Sequence, residues 1–101
     1  MSADEFRDLA EMFRLLGDAT RLRIVLACTD EALKVGAIAE RLGLSASLVS
    51  HHLRLLRAGR IVRAERRGRN VFYAAADDHI RHVVADMVAH VAEARGQSAA
   101  A

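Results

Sequence analysis

At 101 residues and 11.0 kDa the chain has room for one core and no second domain. Its 52% hydrophobic and 28% charged content fits a folded globule and excludes a disordered chain. A single cysteine, Cys28, excludes an intramolecular disulfide, an all-cysteine zinc site and a CxxC redox motif. No apolar run approaches the ~20 residues of a membrane span, and the acidic start MSADEFRDLAEMF does not read as a signal peptide, so the cytoplasm is the expected location. A chain this short buries a modest share of its surface, which favours oligomerisation. Net charge is only +2, but residues 41–70 hold eight arginines (Arg41, Arg54, Arg57, Arg60, Arg63, Arg66, Arg67, Arg69) against one acid, Glu65. A localised arginine cluster in a nearly neutral chain is an electrostatic footprint for phosphates.

In chain order, Phe6, Leu9, Ala10, Phe13 and Leu16 recur at helical spacing and predict a first amphipathic helix, ended by Gly17. Asp18 is the expected N-cap of a second helix, with Leu22, Val25 and Leu26 inward. Val35, Ile38, Ala39 and Leu42 predict a short third helix stopped by Gly43. Ser45 caps a fourth, ASLVSHHLRLLRA, with Leu48, Leu55 and Leu56 periodic and Gly59 at its end. Two short helices joined by Gly43-Leu44-Ser45 are a helix-turn-helix signature. The segment RIVRAERRGRNVFYAAA follows, with β-prone Ile61-Val62 and Val71-Phe72-Tyr73 and a tip at Arg67-Gly68. A basic hairpin after a helix-turn-helix is a wing. Asp78 to about Arg95 predicts a long last helix. Its apolar stripe (Ile80, Val83, Val84, Met87, Val88, Val91) has no later element to cover it and is expected to pair with its own copy. The expectation is a mainly α chain with a small β-hairpin: a winged helix-turn-helix over residues 1–95, homodimeric through terminal helices, with a disordered tail over 96–101.

In a helix-turn-helix the start of the second helix enters the major groove. Here it carries Ser45, Ser47, Ser50 and His51, short hydrogen-bonding groups suited to base edges and phosphates. Arg54 lies further along within reach of backbone. Arg66, Arg67 and Arg69 at the wing tip can reach an adjacent minor groove or its phosphates. His52 is expected to pack or face water.

The last helix region, DDHIRHVVADMVAHVAEAR, spaces Asp77, His79, His90 and Glu93 as D-x-H-x10-H-x2-E. Eleven residues bring His90 to within about 20° of His79 around the helix but about 16 Å along it. One ion with ligand bonds near ~2 Å cannot touch both from one straight helix. Two antiparallel copies solve this, with the Asp77/His79 end of one helix meeting the His90/Glu93 end of the other. The resulting set of two imidazoles and two carboxylates suits tetrahedral Zn(II) or Co(II). His82 is expected to be merely exposed; the alternative for Asp77 or Asp78 is a helix N-cap only, and for Glu93 a solvated last-turn acid.

The segments LLGDATRLRIVLA, VGAIAERLGLSASLVSHHLRLLRAGRIVRAERRGRNVFYAA and DDHIRHVVADMVAHVAE resemble the ArsR/SmtB family of small dimeric winged-helix repressors that sense metals. The last matches the fifth-helix motif of the zinc-responsive branch at all four ligand positions. The resemblance implies an apo dimer that represses an operator ahead of metal efflux or sequestration genes and is released by zinc. It also implies a coupling route in which His90 donates to the backbone carbonyl of Arg60. The family's third-helix site for cadmium, lead or arsenic needs cysteines near residues 33–37; the chain has Leu33-Lys34-Val35-Gly36-Ala37, so that site is absent. Cys28 is expected in the core.

The expected function is therefore a cytoplasmic, metal-responsive repressor whose partners are double-stranded operator DNA, a second copy and a regulatory Zn(II), with Co(II) as the alternative ion. The rivals are a repressor of the same fold that senses Ni(II)/Co(II) or a non-metal signal, a metal-dependent hydrolase and a protein-interaction module. The N-terminal MSADEF has no histidine, which lowers nickel. Four ligands leave no open position for catalysis, so no enzyme is expected. The arginine cluster opposes an interaction module.

Overall fold

The computed structural model describes the backbone of residues 1–100 and the side chains of residues 1–96. Five helices and one hairpin follow in order: α1 (Ala3–Leu16), α2 (Ala19–Ala27), α3 (Val35–Leu42), α4 (Ala46–Ala58), β1 (Val62–Arg67), β2 (Asn70–Ala75) and α5 (Asp78–Ala100). The core sits where α2, α3 and α4 meet the base of the hairpin, and Ile24, Ile38, Val49, Leu53, Leu56 and Ile61 are sealed in it.

A reciprocal capping box starts α1. The Glu5 N–H donates to Ser2 Oγ (3.0 Å) and the Ser2 N–H donates to Glu5 Oε1 (2.8 Å). Of its apolar stripe, Leu16 packs against the core while the rest is largely uncovered. Phe6 and Phe13 are 60% exposed and Leu9 is 41% exposed, while Leu15 enters the core. Periodicity identifies an apolar face but not what covers it, and among the described residues no element of the same protomer covers Phe6, Leu9 and Phe13. Leu15 instead packs on the end of α4, where a Cβ on Gly59 would lie 2.3 Å from Leu15 Cδ1.

Asp18 caps α2 as expected, its Oδ2 accepting from the Arg21 N–H at 2.9 Å. The inward residues are Ile24, Val25 and Cys28; Leu26 is exposed and Leu22 only half buried. After α2, Leu33 exchanges two backbone hydrogen bonds with Tyr73 (2.9 and 2.7 Å), adding a single rung beside β2. One residue carries no period, so this rung was invisible in sequence.

Gly43 adopts φ +67 at the end of α3, a left-handed cap that turns the chain into α4. Ser45 Oγ then accepts from the Leu48 N–H (3.1 Å). The buried face of α4 is Val49, Leu53 and Leu56, whereas Leu48 and Leu55, also in the periodic set, are 39% and 36% exposed. Leu56 belongs to both sets. The core packs the i, i+4, i+7 arc from Val49, which leaves Leu48 and Leu55 on its flank.

Arg60 closes α4 with φ +61, a left-handed position that glycine usually fills. The Ile61 N–H reaches back to the Leu56 carbonyl (2.9 Å) and the Arg60 N–H to that of Arg57 (3.0 Å), the pattern of a Schellman closure. The hairpin pairs Val62 with Ala75 through Arg67 with Asn70. Its tip is therefore Gly68-Arg69, one residue beyond the expected Arg67-Gly68. Gly68 takes φ +64 at the first central position, as a two-residue turn requires.

Asp77 caps α5 by accepting from the Ile80 N–H at 3.0 Å. The Arg81 Nε donates to the Thr29 carbonyl (3.1 Å) and ties α5 to the end of α2. Val84 is buried and Ile80 packs beside it, anchoring the first turns. The backbone of α5 continues to Ala100, past the expected end near Arg95, since Gly96 is its only poor helix former and no proline interrupts it. The tail expected to be disordered, 96–101, falls on side chains that, Gly96 apart, lie outside the described residues.

Candidate nucleic-acid interface and metal centre

About 100° of rotation per residue places Ser47, His51 and Arg54 together on the face of α4 opposite buried Val49 and Leu53, and all three are exposed. Ser45 is exposed but its Oγ is engaged as the helix cap, and Ser50 is half buried at the edge of the face. His52 turns back toward α2. Its Nδ1 is buried with no hydrogen-bond partner, and desolvation lowers its pKa against the opposing pull of the Asp18 carboxylate. It is a packing residue.

The arginines of the basic segment divide into two groups. Arg41 pairs with Glu31 (2.7 Å), and Arg63 and Arg67 both pair with Glu65 (2.5 Å each). Arg54, Arg57, Arg60, Arg66 and Arg69 are exposed and, among the described residues, have no acidic partner within 4.0 Å. Arg54 and Arg57 run along α4, Arg66 lies near the end of β1 and Arg69 is in the wing tip. Unpaired exposed guanidiniums keep all their donors for phosphate oxygens. Arg67 also lies over the Phe72 ring, 4.7 Å from its centroid.

The four metal-ligand candidates form two separated pairs. Asp77 Oδ2 lies 3.7 Å from His79 Nδ1 at the start of α5, and the His79 side chain is 95% exposed. Asp77 divides its labour: Oδ1 accepts the Ile80 N–H, which holds its carboxyl below the usual range, while Oδ2 faces the imidazole. His90 and Glu93 are exposed three residues apart, hence neighbours on the helix surface. About 16 Å of helix separates the two pairs, and among the described residues of one protomer no three His, Cys, Asp or Glu side chains converge on a metal position. His82 is exposed. Cys28 is fully buried, its Sγ donating to the Ile24 carbonyl (3.3 Å), and burial pushes its pKa up to about 11, so it is neither nucleophile nor ligand.

Between the two pairs α5 is apolar and open. Val83, Met87, Val88 and Val91 are 47–55% exposed. With Phe13 and Leu16 of α1 they line a groove of about 460 Å³, next to a second apolar hollow of about 210 Å³ lined by Leu9, Phe13 and Ile80. The exposed stripe of α1 and that of α5 are thus one surface. Sequence reading assigned only the α5 half to an interface; the α1 half carried the same signal in Phe6, Leu9 and Phe13.

Residues 18–64 match the family described as bacterial regulatory protein, arsR family. The chain is 40% identical over 93 residues to a transcriptional repressor SmtB homolog from Synechocystis, covering 92% of this chain and 70% of that protein. It is 42% identical to the cadmium metal-sensor CMTR from Mycobacterium tuberculosis, whose structure superposes with a TM-score of 0.70 over 78% of this chain and 82% of that one. A homodimeric winged helix-turn-helix DNA-binding domain from Mycobacterium bovis, a possible ArsR-family regulator, superposes with a TM-score of 0.84 at 26% identity, covering 95% and 88% of the two chains.

Proposed function

The chain belongs to the ArsR family of bacterial regulatory proteins, and from that premise we propose that it is a homodimeric, metal-responsive repressor: it binds operator DNA through α4 and the wing and is released by Zn(II), with Co(II) as the alternative ion. The family consists of transcriptional regulators and not enzymes. The observation that carries the metal reading is the layout of α5, with an Asp77/His79 pair at one end, His90/Glu93 at the other and an uncovered apolar face between them. A second copy of that face is the partner that fits it, and an antiparallel crossing of two α5 helices brings unlike pairs together.

The donor set fits the ion. Two imidazoles and two carboxylates suit borderline zinc and cobalt better than softer ions. Cys28 is sealed in the core and residues 33–37 offer no thiolate, so this chain lacks the soft donors that cadmium favours. When bound, the metal supplies a bond network that ties the ends of two helices together. Asp77 keeps its capping bond through Oδ1 while Oδ2 stays free to ligate. His90 would hold the ion through one ring nitrogen, and its other nitrogen would be left to donate, on the family resemblance to the Arg60 carbonyl. Arg60 is the left-handed residue between α4 and β1, so a restraint there would act at the junction of recognition helix and wing.

On the DNA side, Ser45, Ser47, Ser50 and His51 read the groove, and Arg54, Arg66, Arg67 and Arg69 hold phosphates. No helix among the described residues is long and apolar enough to cross a membrane. The test is fluorescence anisotropy on the promoter DNA of the chain's own gene, with Zn(II) and with chelator. A coupling of ~3 kcal/mol weakens binding about 150-fold with zinc. Unchanged affinity across the titration would leave the rival reading, a repressor that senses Ni(II) or a non-metal signal.

A further inference from the structure

The wing's strands place one acid among its arginines in a particular way. Successive residues of a strand alternate faces, so Arg63, Glu65 and Arg67 of β1 share one face, and the register sets Phe72 of β2 directly opposite Glu65. The Glu65 carboxylate spans the two guanidiniums. Oε1 accepts from Arg63 Nη1 at 2.5 Å, and Oε2 accepts from Arg67 Nε at 3.1 Å and Nη2 at 2.5 Å. The Arg67 guanidinium carbon lies over the Phe72 ring, 4.7 Å from its centroid. These donors are arranged as a phosphate would need them, with two guanidiniums converging on neighbouring oxygens of one anion.

We infer that Arg63 and Arg67 form a phosphate subsite on the wing which Glu65 occupies in the free protein, so that DNA must displace an internal carboxylate to use it. Glu65 is a positioning residue with two effects. It holds both guanidiniums convergent, and it competes with phosphate for their donors, which lowers the wing's affinity for DNA. The two arginines hold its carboxyl below the ordinary glutamate range, so it is ionised under all conditions in which the protein would meet DNA. Being half exposed, the ion pairs are weak enough to exchange. Arg66 and Arg69 carry no such occupant and make the wing's first contacts.

This inference rests on the reading of the wing as a DNA-binding element, and the experiment separates the two. Full-length wild type, Glu65→Gln, Arg63→Gln and Arg69→Ala are titrated by anisotropy against a labelled 25-bp duplex of arbitrary sequence, from 0.05 to 0.4 M salt, with circular dichroism confirming the fold. Removing one negative charge per protomer steepens the log–log salt slope of the dimer by about 2, and if the lines converge near 1 M salt it tightens binding about 60-fold at 0.1 M. The gain disappears in the Glu65→Gln/Arg63→Gln double variant, because half of the subsite is then gone. Glu65→Gln with unchanged or weakened binding, while Arg69→Ala still reduces the slope, overturns the subsite and leaves the wing reading standing. No effect of Arg69→Ala on the slope removes the wing reading and the subsite together.

Discussion

Met87→Glu tests the apolar surface shared by α1 and α5. Met87 is 55% exposed in the protomer and sits in the middle of the groove. Phe6, Phe13, Val83, Met87, Val88 and Val91 are each 47–60% exposed. Completing the burial of one such half-exposed side chain contributes about 1 kcal/mol. Two protomers therefore gain roughly 12 kcal/mol in gross terms, against an association cost of 4–15 kcal/mol. The dimer has little to spare. A glutamate at position 87 loses about 1 kcal/mol of burial per protomer and desolvates a carboxylate at a cost of several more. The dissociation constant should rise more than a thousandfold. Because Met87 faces away from the protomer's own core, the variant should remain helical. Sedimentation equilibrium from 1 to 100 µM, with circular dichroism alongside, reads both quantities. A Met87→Glu protein that stays dimeric across that range would refute the assignment of this face. So would one that unfolds, since it would show that Met87 supports the protomer itself.

Gly59→Ala should destabilise the protein by about 1–3 kcal/mol in urea unfolding, because the new methyl meets Leu15 Cδ1 at 2.3 Å in a buried contact. Gly36→Ala, with open space around the α3 position, should be neutral to stabilising by up to about 1 kcal/mol. Asp18 has a pKa lowered chiefly by the Arg21 N–H. Its contribution to stability is therefore present above its unfolded pKa and is lost as pH falls through the folded value. Asp18→Asn, which keeps a capping oxygen without the charge, should flatten the acid limb of the melting-temperature profile below about pH 4.

What could be read in the sequence depended on whether a signal was local. Caps, glycines and strand alternation placed the helix-turn-helix and the wing, because Asp18, Ser45 and Gly43 act within a few residues of themselves. The buried faces of α1 and α4 were not legible in the same way, since periodicity finds an apolar arc without saying which of its edges the rest of the chain covers. Phe6 and Phe13 lie exposed for that reason, and Leu48 and Leu55 flank the core rather than enter it. The metal candidates were legible as spacing, and the protomer holds them as two exposed pairs. The pairing of Glu65 with both Arg63 and Arg67 was written in the alternation R-x-E-x-R, yet it carries meaning only once the register sets Phe72 across from it.

The central claim, a metal site shared between two copies, is tested most directly by complementation. Chains carrying His79→Ala and His90→Ala are mixed under conditions that favour exchange, and the heterodimer is isolated with two different tags. Each homodimer variant lacks a ligand at both sites. The heterodimer keeps one site with all of Asp77, His79, His90 and Glu93, and loses both imidazoles at the other. The account predicts one tightly bound Zn(II) per heterodimer, none per homodimer variant, and partial recovery of zinc-driven release from DNA. A heterodimer that binds no zinc, while the wild-type dimer binds two, would place the ligands within a single chain and contradict it.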